Sequence, residues 1–378
     1  MFRQVHLWIG LGLSLLIAAI ALSGALLVFG PEVDRLIDPS RYAVTGAAAE
    51  QAAGVYLGNA AKAAPGAQAA VLRWPEAEGA PVTVLLRGGA ETPAAPRDRL
   101  RIAYLDPPTG RVLGLVDARA TLVGIAHALH ANLLVPQFSG RQIVGWVGVG
   151  LLMMTLTGLW LWWPRNSGFL QALAWRRGAT ASVNLHNTLG VWIALPLAAM
   201  ALTGMSLCFP EQARGLIGLF ADLAPQGQRP GAGQGPGAAL MLRPAQDPQR
   251  VVEIALQSGQ GLRPAALSAP TDKAKVWRVQ LLTQEGERRS VLVDDQTLAA
   301  THPPTAAGDA FAAWLRRVHE ATHHGPLWQA IGFLSGALPA VLLVTGVLMW
   351  LRRRSRRAGK SAVSDEKIAA PLGVCRDL

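Results

Sequence analysis

Residues 186–211 read HNTLGVWIALPLAAMALTGMSLCFPE, an apolar run long enough to cross a membrane as one helix. Residues 6–32 read HLWIGLGLSLLIAAIALSGALLVFGPE and repeat the same pattern. In each run the histidine lies 18 residues before a glycine that follows a serine or threonine, and a Pro-Glu pair closes the run. A repeat of this kind indicates two copies of one structural unit. We therefore expect a tandem duplication in which each copy carries a histidine at the same depth.

Composition is typical of a membrane protein. Of the 378 residues, 51% are hydrophobic and 16% are charged, outside the usual range of soluble domains. Spanning a bilayer takes ~20 apolar residues in a helix. Runs that reach this length lie at about 7–29, 142–163, 188–209 and 328–350. The first is too long for a signal peptide and lacks a suitable cleavage site, so we expect it to be retained.

The placement of positive charge predicts the orientation. The net charge is +11, and arginine and lysine are concentrated in short segments, at Arg3, near Arg165 and over 352–360. This placement marks the cytoplasmic side of a membrane protein and argues against nucleic acid as a partner. We expect both termini in the cytoplasm. The long loops, about 32–120 and 211–310, then lie in the periplasm of a bacterial inner membrane.

The two long loops repeat one order of elements, a helix followed by short strands. The predicted helices are 48–63 and 247–258, and the predicted strands are 70–74, 82–87, 100–105, 111–116, 263–268, 275–282 and 288–294. Each loop is therefore predicted to form a small α+β domain. The expected fold is an α-helical membrane protein, with four transmembrane helices as two repeated hairpins and one periplasmic α+β domain in each.

The predicted boundaries follow this scheme. Transmembrane helices cover 1–31 and 186–210, and the periplasmic domains cover 32–118 and 211–307. An interfacial histidine segment with its returning helix covers 119–165 in the first copy and 308–352 in the second. The cytoplasmic parts are a loop, 166–185, and a basic tail, 353–378.

Histidines cluster at the ends of the predicted spans. An ionisable group at membrane depth is costly and indicates function, although an interfacial histidine bonded to headgroups or backbone is the alternative. His302 lies in a loop and stays unassigned. The other seven are His6, His127, His130, His186, His319, His323 and His324.

Helix geometry divides these histidines between the two membrane faces. Eighteen helical residues rise about 27 Å, so His6 and His186 lie at the cytoplasmic ends of two parallel spans. There they are predicted to hold both axial positions of one haem iron. The outer histidines share helix faces at i, i+3 and i, i+4 spacing. Zinc or copper is an alternative for them, with Glu320 as the one additional ligand.

We favour a second bis-histidine haem b at the outer end. Neither Cys208 nor Cys375 lies in a C-x-x-C-H motif, so both haems are expected to be non-covalent. The Ser/Thr-Gly steps end at Gly24, Gly158, Gly204 and Gly346. They either allow close helix packing or make room for a porphyrin.

Several motifs carry a resemblance to a known family: LHNTLG at 185–190, GLWLWWPR at 158–165, VHEATHHG at 318–325 and TGVLMWLRR at 345–353. With the two α+β loops, they resemble the PepSY-associated transmembrane family, and within it the inner-membrane ferric-siderophore reductases. The resemblance implies PepSY-like periplasmic domains, two b-type haems and electron delivery to a ferric siderophore in the periplasm.

The resemblance also assigns ligands. His6 and His186 match the inner histidines, His130 matches the histidine before the Gly-Arg step, and His323 matches the histidine before the last span. The repeat spacing instead pairs His130 with His319, which lie 28 and 27 residues before Gly158 and Gly346. We favour His130 with His323 and keep His319 and His127 as alternates.

The predicted activity is that of an oxidoreductase that transfers electrons across the membrane. No catalytic triad or paired-carboxylate motif is present, and electron transfer needs none. No G-x-G-x-x-G motif opens a helix after a strand, so we expect no flavin or NAD site and a separate electron donor, a quinol or a cytoplasmic reductase. The alternatives are a membrane-tethered PepSY module that binds or inhibits a partner without redox activity, and a di-haem reductase of another acceptor.

Overall fold

The computed structural model describes residues 1–88, 100–165, 168–175, 178–225, 238–284, 286–303, 306–321 and 325–369. The chain forms two compact units. A helical unit comprises Met1–Val28, Leu129–Pro210 and Leu315–Leu378, and a sheet unit comprises Phe29–Ala128 and Glu211–Trp314.

Runs of helices and runs of strands follow one another along the described part of the chain. The helices are α1 Phe2–Val28, α2 Gly30–Ile37, α3 Ala53–Ala63, α4 Leu122–Asn132, α5 Gly140–Trp162, α6 Phe169–Leu173, α7 Ala181–Cys208, α8 Pro210–Ile217, α9 Pro248–Leu256, α10 Ala307–Glu320 and α11 Gly325–Ala369. The strands are β1 Ala67–Arg73, β2 Val82–Gly88, β3 Leu100–Leu105, β4 Val112–Asp117, β5 Arg263–Ser268, β6 Val276–Leu282, β7 Arg288–Asp294 and β8 Ala300–Thr301.

Four helices of the helical unit are long and apolar enough to cross a membrane: α1, α5, α7 and the Gly325–Arg356 part of α11. Each coincides with one of the four predicted spans. Because these helices contain few charged residues over a length that matches the bilayer core, the chain is a membrane protein.

Small residues bring these four helices together. A Cβ at Gly336 on α11 would lie 2.6 Å from the Ala21 carbonyl oxygen on α1, and one at Gly150 on α5 would lie 2.5 Å from Leu13 of α1. Gly148 makes a similar approach from α5 to Met205 of α7. Close backbone contact of this kind holds helices together in lipid. Each helix packs along two neighbours, so α1 and α7 are diagonal in a four-helix bundle.

The sheet unit contains one antiparallel sheet in the order β4-β3-β2-β1-β5-β6-β7-β8. Both predicted α+β loops contribute to it, and β1 pairs with β5 at the junction, where Leu72 lies opposite Leu267. The separate sheets expected for the two loops therefore form one continuous sheet. The predicted strands agree with the observed ones within a few residues, and the short strand β8 was not predicted.

Helices α3 and α9 pack on the same face of this sheet. Alternate strand residues point to this face, and Tyr56, Leu72, Val84, Val279 and Val291 are fully buried there in one hydrophobic cluster. Burial of apolar side chains from both loops in a single core explains why the loops fold as one unit.

The prolines and the glycine of residues 106–110, DPPTG, predict a turn between β3 and β4, and the structure has this turn. Gly110 has a φ of +69°, a conformation that glycine adopts without strain. The Gly110 amide donates to the Asp106 carbonyl at 2.8 Å, and the Asp106 carboxylate accepts from the Thr45 amide at 2.7 Å. Burial alone would raise the pKa of Asp106, but hydrogen bonds from the hydroxyls of Thr109 and Thr45 and from the Thr45 amide outweigh it and lower the pKa.

The segment after α1 is fixed to the sheet by a buried polar cluster. The Asp34 carboxylate accepts hydrogen bonds from Arg41 at 2.8 Å, Tyr42 at 3.1 Å and Tyr104 of β3 at 2.8 Å. Burial and the Asp34 charge raise the pKa of Tyr104 to about 12, so this phenol stays protonated as a donor. A paired and fully hydrogen-bonded charge is the form in which proteins tolerate buried carboxylates.

Candidate functional site

Two histidines face each other across the bundle at one end. His6 on α1 and His186 on α7 have ring centroids 6.3 Å apart and ring planes at 87°. Both residues are half-buried. The facing arrangement follows from the bundle order, because diagonal helices α1 and α7 direct side chains at the same depth toward the common core. We call His6 and His186 the first pair.

A second pair lies at the other end of the bundle. His130 on the last turn of α4 and His319 on the last turn of α10 have ring centroids 5.9 Å apart and planes at 40°. Both belong to the helical unit and are half-buried. His130 contacts α1 at Gly24, 18 residues from His6, so about 27 Å of helix separates the two ends.

Sharp backbone turns follow the helices that carry the second pair. Leu133 and Leu134 after α4 have φ of 56° and 63°, and Ala321 after α10 has φ of 57°. Residues with a Cβ pay roughly 1–2 kcal/mol for this left-handed conformation. The Trp328 indole on α11 donates to the Val318 carbonyl at 2.9 Å and holds the end of α10 against the bundle. Strain of this kind is a feature of functional segments.

Every ring of the two pairs packs against a glycine of a neighbouring helix. A Cβ at Gly158 would lie 3.1 Å from His6 Cε1, and one at Gly346 would lie 3.3 Å from His186 Cε1. In the second pair, a Cβ at Gly24 would lie 2.8 Å from His130 Cε1, and one at Gly204 would lie 2.9 Å from His319 Cε1. The four glycines therefore make recesses for imidazole rings.

Three of the rings hydrogen-bond to the threonine that precedes the glycine. Nδ1 of His6, His186 and His319 lies 3.0, 3.0 and 3.1 Å from Oγ1 of Thr157, Thr345 and Thr203, respectively. His130 is different, because its Nδ1 lies 2.8 Å from the Ile20 carbonyl oxygen. Ser23, at the position of the threonines, donates to backbone carbonyls of its own helix instead.

These partners fix the tautomer of each ring. Thr157 donates its hydroxyl proton to the Met153 carbonyl at 2.6 Å, and Thr203 and Thr345 likewise donate to the carbonyl four residues earlier. Each threonine oxygen therefore accepts a proton from histidine Nδ1–H, and the Ile20 carbonyl can only accept. With Nδ1 protonated, the lone pair is on Nε2, the tautomer that binds a metal through Nε2.

The separation of the rings fits a metal ion between them. Two imidazoles bound at about 2 Å on opposite sides of one ion have ring centres roughly 6 Å apart, close to the observed 6.3 and 5.9 Å. Within the described ranges no group of three or more His, Cys, Asp or Glu residues is placed to hold a metal ion. Each pair as described offers two imidazole rings, whereas a structural zinc site uses four ligands.

The core between the two pairs is apolar. Ile17 and Ala18 of α1 and Ile193, Ala194 and Leu197 of α7 are buried there. A site in such surroundings is shielded from water, which influences the reduction potential of any bound metal.

The remaining sequence candidates have different positions. His127 on α4 is exposed and belongs to the sheet unit, and His302 after β8 is also exposed. His323, the favoured partner of His130, and His324 lie outside the described residues. Among the described histidines, His319 is the one that faces His130, in agreement with the repeat spacing.

The sequence interpretation missed the partners of the rings. The sequence predicts helix packing or porphyrin space for the Ser/Thr-Gly steps. In the structure each glycine is a recess, and at three of the four steps the threonine is an acceptor for a histidine of another helix. Their fourfold repetition beside the repeated histidines was the signal that pointed to a paired role.

Comparison with known protein families identifies the family of the chain. A family model described as PepSY-associated TM region matches residues 3–353, nearly the whole chain. The matched range includes both histidine pairs. No curated protein matches the chain.

Proposed function

The chain belongs to the PepSY-associated transmembrane family, and we propose that it transfers electrons across the bacterial inner membrane, through two haem b groups, to a ferric siderophore in the periplasm. The observation that carries the proposal is the pair of facing imidazoles, present at both ends of the bundle with Nε2 as the metal-binding nitrogen.

His6 and His186 would hold one haem, and His130 and His319 would hold the other. We assign His319 in preference to His323 because its ring faces His130 at a separation suited to one metal ion. When bound, haem iron supplies a one-electron Fe(III)/Fe(II) couple. The chain holds each imidazole by its Nδ1–H bond and by the glycine recess, and the buried apolar residues between the pairs exclude water.

The charge distribution supports the proposed orientation. Arg3 precedes His6 on α1, Arg165 follows α5, and Arg352–Arg354 lie near the end of the α11 span. All belong to segments that adjoin the first pair, so we assign the first pair to the cytoplasmic side. Both termini are then cytoplasmic, the spans form two hairpins, and the sheet unit is periplasmic.

The proposed reaction needs one electron for each iron. The reduced donor, a quinol or a cytoplasmic reductase, releases the electron on the cytoplasmic side, and the chelated Fe(III) accepts it in the periplasm and becomes Fe(II). No bond to the chelate is broken by a protein group, so no general acid, base or nucleophile is required. Hard oxygen ligands hold Fe(II) less firmly than Fe(III), and reduction therefore favours release of the iron.

The first experiment is a spectrum of the purified full-length protein in detergent, air-oxidised and then reduced with dithionite, with a pyridine haemochrome count. We expect two b-type haems for each chain. The reduced protein is then mixed with ferric siderophore and a ferrous-iron chelator, with iron-free siderophore as the control. The reduced α-band is expected to decay as Fe(II) appears with the ferric siderophore, and to persist with the iron-free siderophore.

Two outcomes contradict the proposal at different points. A colourless protein would refute haem-based electron transfer and favour a membrane-tethered binding module. A protein with two haems that a ferric siderophore does not reoxidise would retain the electron-transfer function and refute the substrate, leaving another acceptor to be found.

A further inference from the structure

The eight-stranded sheet has a face opposite to α3 and α9 that carries arginines. Arg73 follows the buried Leu72 on β1, and Arg278 lies between the buried Trp277 and Val279 on β6. Since successive strand residues point to opposite sides, both arginines point away from the core. We call the surface around Arg73 and Arg278 the arginine face. It lies entirely within the sheet unit.

Strand register brings the two arginines within reach of one ligand. Arg73 lies opposite Ala266 on β5, and Ala266 lies opposite Gln280 on β6, two residues from Arg278. Two strand spacings and a step of two residues place the Cα atoms about 12 Å apart. Arginine side chains are long enough for both guanidinium groups to contact a ligand between them.

No opposite charge among the described groups acts on Arg278, and Arg73 is affected by the charge of Glu76 without forming an ion pair with it. Within the described part of the chain, Arg73 and Arg278 form no hydrogen bond or ion pair. The neighbouring Glu76 binds Arg288 through both carboxylate oxygens, at 2.7 and 2.8 Å. Nε of Arg278 is buried and has no partner among the described atoms.

A guanidinium group in this position is costly. Arg278 is half-buried, and burial lowers its pKa from the ordinary value because the charged form loses hydration. Removing a charge from water without a partner destabilises a fold, and buried charges in proteins are normally paired. The arrangement is therefore suited to a partner from outside the chain that carries negative charge.

The surroundings of the arginines add apolar and hydrogen-bonding groups. Half-exposed side chains of Val71, Leu85 and Leu292 lie on the same face, with Ser268 and Gln280 between the arginines. Guanidinium groups bind oxygen anions through paired N–H donors and also stack on flat aromatic rings. An anion with aromatic or apolar arms matches both properties.

We propose that the arginine face binds an anionic ferric chelate of the catecholate or carboxylate class, in preference to a neutral hydroxamate chelate. This inference deepens the proposed function and rests on it for the fate of the iron, whereas binding itself needs only the sheet unit.

The test compares two probes of different charge on the full-length protein in detergent. Isothermal titration calorimetry measures the affinity for the anionic ferric complex of dihydroxybenzoate and for the neutral ferric complex of acetohydroxamate. The variants are Arg73→Gln, Arg278→Gln and the double replacement. The matched control is Arg289→Gln, an exposed arginine opposite Leu281 of β6 that points to the other face of the sheet.

We expect the wild type to bind the anionic complex more tightly, with an affinity that falls as salt is added. Each single replacement should weaken binding by roughly tenfold, as expected for loss of a charged hydrogen bond, and Arg289→Gln should leave it unchanged. Equal binding of the two probes by the wild type, or an unchanged affinity in the double variant, would overturn the inference.

Haem content and reoxidation are measured on the same samples, which separates the two proposals. A protein with two haems that the neutral chelate reoxidises, but which does not prefer the anionic complex, refutes the arginine face alone. A colourless protein that binds the anionic complex through Arg278 refutes electron transfer alone. The comparison of probes on the wild type does not depend on the folding of any variant.

Discussion

The two histidine pairs are alike in ring separation but differ in what holds the rings. In the first pair both Nδ1–H groups donate to a threonine hydroxyl at 3.0 Å. In the second pair His319 donates to Thr203 at 3.1 Å, whereas His130 donates to the Ile20 carbonyl at 2.8 Å. A serine, Ser23, replaces the threonine at that position and donates to carbonyls of its own helix.

This difference shows which parts of the site are fixed and which are variable. The glycine recess is present at all four rings, so space for the imidazole is the common requirement. The acceptor varies, and a shorter bond to a carbonyl gives the ring more basic character than a longer bond to a hydroxyl. Ligand basicity is one of the means by which a protein sets a haem potential. We therefore expect the two proposed haems to differ in reduction potential.

The largest effect is expected from removal of a ring. Replacing His6, His186, His130 or His319 singly by Ala should lower the haem content from two to about one for each chain, because a bis-histidine iron loses one of its two protein ligands. The measurement is a pyridine haemochrome count with a low-spin spectrum. His302→Ala and His127→Ala are the matched controls, since both side chains are exposed.

The count also distinguishes the candidates for the outer ligand. If His319→Ala retained both haems, the assignment of the second pair would be wrong, and His323→Ala would be the next variant. Loss of both haems from a single replacement in either pair would contradict the independence of the two sites.

A smaller and graded effect is expected from filling the glycine recesses. Gly24→Ala and Gly204→Ala place a methyl group 2.8 and 2.9 Å from the second pair, while Gly346→Ala leaves 3.3 Å to His186. Haem affinity should fall about 10–100-fold at the tighter positions, the range found when metal-ligand orientation is disturbed, and least at Gly346. Titration of the haem-free protein with haemin measures the affinity.

Gly12→Ala is the control for these variants. It lies on α1, and an added Cβ has no neighbour within 4 Å. Alanine in place of a helical glycine favours the helix by about 1 kcal/mol, so a loss of haem at Gly24 cannot come from a weaker α1. Equal affinities for Gly24→Ala and Gly12→Ala would show that the recess has no role in haem binding.

Local sequence signals predicted much of the fold. The spans, the strands 263–268 and 288–294, and the Asp106–Gly110 turn were recognisable because hydrophobic periodicity and turn chemistry depend on neighbouring residues. The joining of both loops into one sheet could not be recognised from the sequence, because the pairing of Leu72 with Leu267 links residues far apart in the chain. No local pattern specifies which strand edges meet.

For the candidate site, the sequence indicates the residues but not their contacts. Repetition identified the histidines and the Ser/Thr-Gly steps, but the contact of each ring with a different helix depends on helix order and rotation. The partner of His130 illustrates this: motif and spacing gave different answers, His323 and His319, and the facing of His319 is a property of the packed bundle.

Replacing a threonine that accepts the Nδ1–H bond, while keeping the neighbouring glycine, should shift the reduction potential of the haem without removing the haem. Thr157→Val and Thr345→Val remove the hydroxyl that accepts from the first pair, which lowers the basicity of the ligand and raises the reduction potential of that haem. A tenfold change in the relative stability of the two redox states corresponds to about 59 mV for one electron, and we expect a shift of that order.

Spectroelectrochemical titration measures this shift, and the serine variants are the matched controls. Thr157→Ser keeps an acceptor oxygen and should restore the potential to near the original value. A potential that is equally displaced in the valine and serine variants would indicate a packing effect of the missing methyl group instead of the hydrogen bond.

The smallest effect is expected at Ser23, beside the His130 ring. Ser23→Thr keeps a hydroxyl that is bonded to a carbonyl of its own helix and adds only a methyl group. The His130 ring donates to the Ile20 carbonyl at 2.8 Å, so the potential of the second haem should shift by less than the potential of the first haem shifts in the valine variants. Because the haem count stays at two, a titration that separates the haems measures this shift. A shift as large as that in Thr157→Val would contradict the Ile20 carbonyl as the acceptor that sets the basicity of His130.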